Sequence, residues 1–369
     1  MRIVVAPDKF KDCLPAAQVC EAIARGLGDV PAAEVVRVPL ADGGEGTVDA
    51  LVAATGGRFQ TRRVTGPLPE MKVDARFGIL GDGQTAVIEM SAASGLHLLT
   101  PVDRNPMHTT TFGTGELIRH AAALGCKRII LGIGGSATCD GGIGCCQACG
   151  LPVLLEGGEP TSDTEPLCGR DLEKVVLIKT HRGGVEGVEI IVACDVTNPL
   201  YGPNGAARVF GPQKGASPEE IEQLDAWLRR LAIRCSATEA AETPGAGAAG
   251  GLGFAMLAFF NATLRPGAQI VMDAVQLRQK LRTADLCITG EGRVDVSTSS
   301  GKTVSGVARL CAEMGIPCDV ICGRSDVAAL PGVGRIVQLT DLAKGGEDPM
   351  RDAPLLLERA AHSLIASRR

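Results

Sequence analysis

Aromatic side chains are nearly missing from this sequence, with one Trp, one Tyr and eight Phe among 369 residues. A surface that stacks nucleic-acid bases, or an aromatic-rich protein interface, would draw on more of them. A basic excess is missing too: 42 Asp and Glu outnumber 37 Lys and Arg, for a formal charge of −5. That balance argues against a phosphate-backbone partner, so no nucleic acid is expected. No run of about 18 apolar residues occurs, so no membrane-spanning helix is expected and no membrane partner with it. The N-terminus carries no basic stretch ahead of a long apolar one. Met1 to Ala6 reads instead as a strand, and a cytoplasmic setting follows as the expectation.

Core material is ample, at 45% hydrophobic and 21% charged residues, and 369 residues exceed what one core usually organises. Two α/β domains are therefore expected. Fourteen cysteines are spread along the chain, and in a cytosolic setting they are expected to be reduced. Cys139, Cys145, Cys146 and Cys149 form the tightest group and include a C-x-x-C pair. A zinc site would need a second pair or nearby histidines, so these thiols read as core packing, as do Cys318 and Cys322.

Glycine is abundant, at 48 residues, and clusters just after apolar runs, where α/β proteins turn towards ligands. Those runs alternate with helical patterns, which implies a largely parallel sheet. Arg2 to Ala6 is a short strand stopped by Pro7; a helix from about Ala16 to Gly26 follows, then a strand through Val35 to Val38. The pattern returns near the other end as Leu286 to Ile288, Val320 to Cys322 and Arg335 to Val337. These five strands with helical crossovers predict a doubly wound, flavodoxin- or Rossmann-like parallel sheet built from both chain ends, 1–66 and 276–369. Strands at Ala86 to Ile88, Arg128 to Leu131 and Glu189 to Ala193 place a second α/β domain at 67–275, inserted into the first, with the active site expected in the cleft between them. Its clearest helix opens at Ser217, where Pro218 at the first position and Glu220 three residues on spell a capping box.

Two motifs fail on context. Ser300-Gly301-Lys302-Thr303 ends like a P-loop, yet Val296 stands where the first glycine belongs. Gly245, Gly247 and Gly250 fit G-x-G-x-x-G in spelling, but no strand precedes them. Gly132, Gly134 and Ala137 follow a strand, with Glu156 downstream, and admit a nicotinamide-dependent oxidoreductase as the second reading. The same loop can present backbone N–H groups to any phosphate. It identifies an anion, not which one.

Acidic residues beside turns after strands carry the chemical signal: Asp42 and Glu45, Asp195 with Asn198, and Glu291 with Asp295. Phosphoryl transfer needs Mg²⁺ on one or two carboxylates, cations on phosphate oxygens and a group to position the attacking hydroxyl. Lys9, Lys11, Lys214, Arg293 and Lys302 are the candidate cations. On this reading Asp195, Asp42 and Lys11 are catalytic candidates, and Asp295 with Asp195 the metal candidates. Residues alone lead to an α/β enzyme with an anionic, phosphorylated ligand.

Beyond that, Ala6-Pro7-Asp8-Lys9-Phe10-Lys11, Leu40 to Thr47, Ile88-Glu89-Met90 with Ser94-Gly95-Leu96, Gly132 to Thr138, Ala193 to Leu200, Phe210 to Ala216, Pro244 to Gly253 and Ile288 to Arg293 with Asp295 follow one another in a fixed order. That order resembles the bacterial type-1 glycerate kinases over most of the chain. The resemblance implies ATP as donor, Mg²⁺ as cofactor and glycerate as acceptor, with 2-phosphoglycerate favoured over 3-phosphoglycerate. It leaves room for a homodimer. It implies substrate contacts from Lys9, Glu45, Ser94, Arg293 and Asn198, and nucleotide contacts from Gly134, Gly135, Ser136, Thr138, Lys214 and Glu291. The chain departs from the family pattern at Asp12-Cys13, where relatives run Gly-Ser, at Ser297, where they have Gln, and at Cys145, Cys146 and Cys149, where they carry Met or Leu. The altered loop at Asp12 keeps a third reading open, a silent relative that binds a small acid without turnover.

Overall fold

Buried apolar runs fix most of the strands. The computed structural model describes residues 1–28, 33–157, 161, 165–180, 185–295 and 303–366. Among these, the strands in chain order are β1 (Arg2–Val5), β2 (Glu34–Arg37), β3 (Arg58–Thr65), β4 (Lys72–Ile79), β5 (Thr85–Glu89), β6 (Arg128–Gly132), β7 (Val153–Leu155), β8 (Val175–Ile178), β9 (Glu189–Ala193), β10 (Thr263–Arg265), β11 (Leu286–Val294), β12 (Cys318–Ser325) and β13 (Ile336–Gln338). They fall into two units.

One unit comprises Met1–Asp42, Asp49–Gly56 and Pro266–Arg369. Its sheet is parallel throughout, in the order β13-β12-β11-β1-β2. Ile3, Val5, Ile288 and Ile321 present one face to the helices Ala16–Gly26 and Ala353–Ala366, whose Val19, Ile23, Leu357 and Leu364 complete a single core. Burying both sheet faces favours such continuous apolar strands. Read in chain order this is 2-1-3-4-5, the flavodoxin-like doubly wound topology.

The other unit comprises Gly43–Val48 and Gly57–Arg265. Its sheet runs β10-β9-β6-β5-β4-β3, with β10, β9, β6 and β5 parallel and β4 and β3 antiparallel. A separate antiparallel ribbon pairs β7 with β8. The helix Pro218–Arg234 starts where the sequence places it: the Ser217 hydroxyl accepts the Glu220 N–H at 3.2 Å, and the Glu220 carboxylate accepts the Ser217 N–H at 2.7 Å.

Two expectations are corrected. The boundary at 66 is too late, because β3 pairs along its whole length with β4 and so belongs to the inserted unit; the boundary at 276 is likewise too late, since the chain returns to the first unit at Pro266. The second sheet, parallel through four strands, adds an antiparallel hairpin at one edge. Its hairpin is hard to read from sequence because β3, RFQTRRVT, leaves all but its last two residues at least partly exposed. An edge strand of that kind has no apolar run to announce it. The clustered cysteines pack as expected, with Cys139, Cys145, Cys146 and Cys149 almost wholly buried free thiols.

Candidate active site

In the first unit the winding direction reverses between β1 and β11, and ligands of doubly wound sheets bind at such a switch point, outside the carboxyl ends of the strands. The chain leaving β1 stays paired to β11 there. Ala6 N–H donates to the Ile288 carbonyl and Asp8 N–H to that of Gly290, each at 2.8 Å. The Asp8 carboxylate is buried, only 6% exposed. It accepts the Lys9 N–H at 2.7 Å and the Thr303 hydroxyl at 2.6 Å, Thr303 being the first residue of the helix Thr303–Met314. Burial, and then the charge of Asp42, push its carboxyl up to about 6 against those hydrogen bonds and Lys9.

The other predicted groups of this unit collect at the same edge. Asp42 follows β2, on a segment held by the Leu40 N–H on the Pro7 carbonyl. Glu291 and Arg293 lie in the last turns of β11, and Asp295 just after it. Lys11 is exposed and Lys9 half-buried. Gly292 lets the loop close over the strand, since a Cβ there would stand 3.2 Å from the Lys11 nitrogen. Arg293 is exposed and donates to one Asp326 oxygen at 2.8 and 2.6 Å, while Arg324 holds the other. Asp12 has φ 59, left-handed backbone in which glycine is least strained and which aspartate tolerates better than most side chains. Ser297 and the Ser300 to Lys302 segment lie outside the described residues.

The second unit contributes a loop. After β6 the chain runs Ile133 to Thr138, with Gly134 and Gly135 exposed. The backbone N–H groups of Gly134, Gly135 and Ser136 donate to no acceptor among the described residues. The loop is fixed from beneath. Ser94 is fully buried against Thr114 at 3.0 Å, its carbonyl accepts the Ala137 N–H, and Leu96 N–H donates to Gly135. Ser94, expected to contact substrate, thus supports the loop from beneath. Asp140, also fully buried, accepts the Thr111 N–H and hydroxyl and the Gly142 N–H, and burial raises its pKa against those bonds.

Under the same loop lies Lys214, 2% exposed. Its Nζ donates to the Ser136 hydroxyl at 2.7 Å and the Thr138 carbonyl at 2.6 Å, two uncharged partners, with the Phe210 ring 5.9 Å away. Burial pushes its pKa down to about 8, with Cys139 and Asp140 pulling the other way. A buried ammonium beneath N–H donors that have no acceptor among the described residues has the chemistry to attract an anion. Glu45 is exposed in the Gly44 to Gly46 turn, and a Cβ on Gly134 would stand 3.7 Å from the Gly44 Cα. That segment is tied to β5 by the Val48 N–H on the Glu89 carboxylate at 2.9 Å. On the neighbouring strand, Asp195 is exposed just beyond β9, and Asn198 donates to the Asn204 carbonyl at 2.8 Å.

Sequence reasoning passed over Asp8 as a candidate. It looked for carboxylates beside glycine turns, whereas Asp8 follows a proline; the available signal was an acid three residues past a buried first strand. Among the described residues, the one group of three ligating side chains within 4.8 Å of one another is Cys287, Cys311 and Cys318. Those thiols are buried, Cys287 and Cys318 near the amino ends of β11 and β12 and Cys311 on the helix Thr303–Met314, whereas Glu291 and Asp295 lie towards the other end of β11. A hard divalent cation would use the oxygens at the carboxyl edge instead.

Carboxylates at a switch point and a buried lysine under an open glycine loop define an enzyme that handles phosphate groups, a phosphotransferase. The family model described as "Glycerate kinase family" matches residues 3–368. A glycerate kinase of Haemophilus influenzae is 45% identical over 364 residues, covering 94% of this chain and 95% of its own length. A protein named glycerate 2-kinase, from Escherichia coli, is 46% identical over 329 residues, 88% and 85% of the two chains. The solved structure titled putative glycerate kinase 2 from Salmonella typhimurium LT2 superposes with a TM-score of 0.89 at 43% identity, over 100% of this chain and 98% of that one. The chain belongs to the glycerate kinase family.

Proposed function

We propose that this enzyme transfers the γ-phosphoryl group of Mg·ATP to a hydroxyl of glycerate, the 2-hydroxyl in preference to the 3-hydroxyl. The observation that carries the reading is Lys214, a buried cation with uncharged partners beneath the Gly134, Gly135 and Ser136 N–H groups. Polyphosphate oxygens satisfy that arrangement, and Thr138 completes it through the carbonyl that holds the lysine. The name of the Escherichia coli relative supports the regiochemistry. A nicotinamide enzyme is the weaker reading, because the family assignment supplies a phosphate-bearing ligand for the one loop that suggested it.

Charge sets the remaining roles. Lys9, Lys11 and Arg293 are assigned to the anionic oxygens of glycerate and the transferred group, where Arg suits paired oxygens and Lys acts as a point charge. Glu45 and Asn198 are assigned to the glycerate hydroxyls, Glu291 to the nucleotide, and Asp42 and Asp195 to the charge balance of the reacting centre. Asp295 and Asp195 are the residues that would hold Mg²⁺. The donor chemistry fits, since Mg²⁺ takes one or two carboxylates and fills its shell with water and phosphate oxygens. When bound, the ion would neutralise the developing phosphate charge.

Coupled ADP release with ATP, Mg²⁺ and glycerate tests the reading, with the product resolved as 2- or 3-phosphoglycerate by phosphorus NMR. Glycerate-dependent ADP release is expected, with the 2-isomer in excess. Binding of glycerate without ADP release would identify a silent relative instead.

A further inference from the structure

We infer that Asp8 is the proton acceptor for the attacking glycerate hydroxyl, placed at the switch point of the first sheet by the β1–β11 pairing and aligned by the Thr303 hydroxyl. The inference rests on the kinase reading. Its first support is position: Asp8 is hydrogen-bonded through its own N–H to Gly290, on the strand across the switch point, where this topology binds ligands. Its second is capacity. Among the described residues each carboxylate oxygen accepts one bond, from Lys9 N–H or Thr303 Oγ1, which leaves it a lone pair for a further proton.

Among the described residues the charged groups facing it are Asp42, from the segment after β2, and Lys9, beside it on its own loop; from the helix it meets the Thr303 hydroxyl, and from β11 the Gly290 backbone. Burial and Asp42 hold its affinity for a proton above that of an ordinary carboxylate, with the carboxyl at about 6. A stronger base that is still ionised near neutral pH is the better acceptor. In the step, the glycerate O–H bond breaks and its proton passes to Asp8 as the oxygen bonds to the γ-phosphorus. The bond from that phosphorus to the β,γ-bridging oxygen breaks, and its electron pair leaves with ADP. Asp8 then returns the proton to solvent.

The wild-type enzyme should show an acid limb in kcat/KM near pH 6. Asp8→Asn should lose about a hundredfold or more in kcat with the KM for ATP little changed, the scale of a lost general base. Thr303→Val, lacking the hydrogen bond that favours the ionised carboxylate, should move the acid limb to higher pH, and Thr303→Ser should restore it. Difference infrared spectroscopy, wild type minus Asp8→Asn, should show a carboxyl band titrating at the same pH as the limb. A purely structural Asp8 would leave the limb unmoved in Thr303→Val. That outcome overturns the inference, as does Asp8→Asn keeping more than about a tenth of wild-type kcat. If Asp8→Asn does not fold, Thr303→Val still decides. A wild-type enzyme without glycerate-dependent ADP release defeats the kinase reading itself, whereas normal wild-type turnover with an unmoved limb defeats only the role of Asp8.

Discussion

Asp8 and Lys214 both carry charge where the fold gives them little water, and each cost has a measurable sign. The folded chain holds the Asp8 proton more tightly than the unfolded chain, with the carboxyl raised from 3.8 to about 6. Its contribution to stability is therefore fully present below about pH 4 and is lost as pH rises through about 6. Keeping it ionised at neutral pH costs roughly 2 to 3 kcal/mol by the value of a pKa unit. Asp8→Asn should then be more stable than wild type near pH 7.5, with the advantage shrinking towards about pH 4.5, in urea denaturation at both. Equal advantages at the two pH values would show that the charge is not the cost. Lys214 runs the other way. Its depressed pKa means that stability from this group recovers only as pH rises from about 8 towards 10.5. Lys214→Met should keep the melting temperature of the unliganded protein, lose the rise that Mg·ATP produces, and lower kcat/KM for ATP at least about tenfold, the size of one lost charge-assisted contact. Thermal scans with and without nucleotide check both halves.

At the scale of elements, glycine-rich blocks divide into those that meet ligands and those that let backbones touch. The Pro244 to Gly253 block is of the second kind. A helix, Thr238–Glu242, precedes it, and Gly250 lies at φ 67 where a Cβ would overlap the Thr138 carbonyl. That carbonyl takes the Lys214 ammonium, so the start of the helix Ala248–Phe260 and the anion loop are one packed element. Gly250→Ala should destabilise by more than about 1 kcal/mol through its left-handed backbone, and it should raise the KM for ATP; denaturation and steady-state kinetics report the two effects, and a stability loss with unchanged KM would uncouple loop from helix. The same physics decides what could be read in advance. The parallel strands are buried on both faces and appear as apolar runs, so Arg2 to Val5 and Leu286 to Ile288 were legible. The β3–β4 hairpin, exposed along most of β3, and the β7–β8 ribbon, whose strands are short, were not. Lys214 was legible through its place between Pro212 and Gly215. Its burial, and the engagement of Ser94 with Thr114, depend on partners 78 and 20 residues away, which spacing does not encode.

For the molecule as a whole, the division of the chain separates two kinds of chemistry. The inserted unit holds the loop after β6 together with Lys214, and every buried residue of its two cores falls between Val64 and Ala262. Its sheet is closed by β3 at one edge and β10 at the other, both within residues 57–265. A fragment of those residues should therefore fold cooperatively. It forgoes only the Gly43–Val48 segment of its unit, and with it the Val48 N–H that the Glu89 carboxylate accepts. The proton acceptor Asp8, the carboxylates Asp42, Glu291 and Asp295, and the cations Lys9, Lys11 and Arg293 all stay behind in the other unit. If Lys214 and its loop take the phosphates of ATP, the fragment should bind Mg·ATP in isothermal titration calorimetry, with its heat abolished by Lys214→Met, and should release no ADP with glycerate. Binding of glycerate but not ATP would exchange the two ligands between the units. A fragment that folds, by circular dichroism and a single denaturation transition, yet binds neither ligand would show that Lys214 and its loop are a structural knot, and the nucleotide site would have to be sought at the carboxyl edge of the β1–β11 sheet.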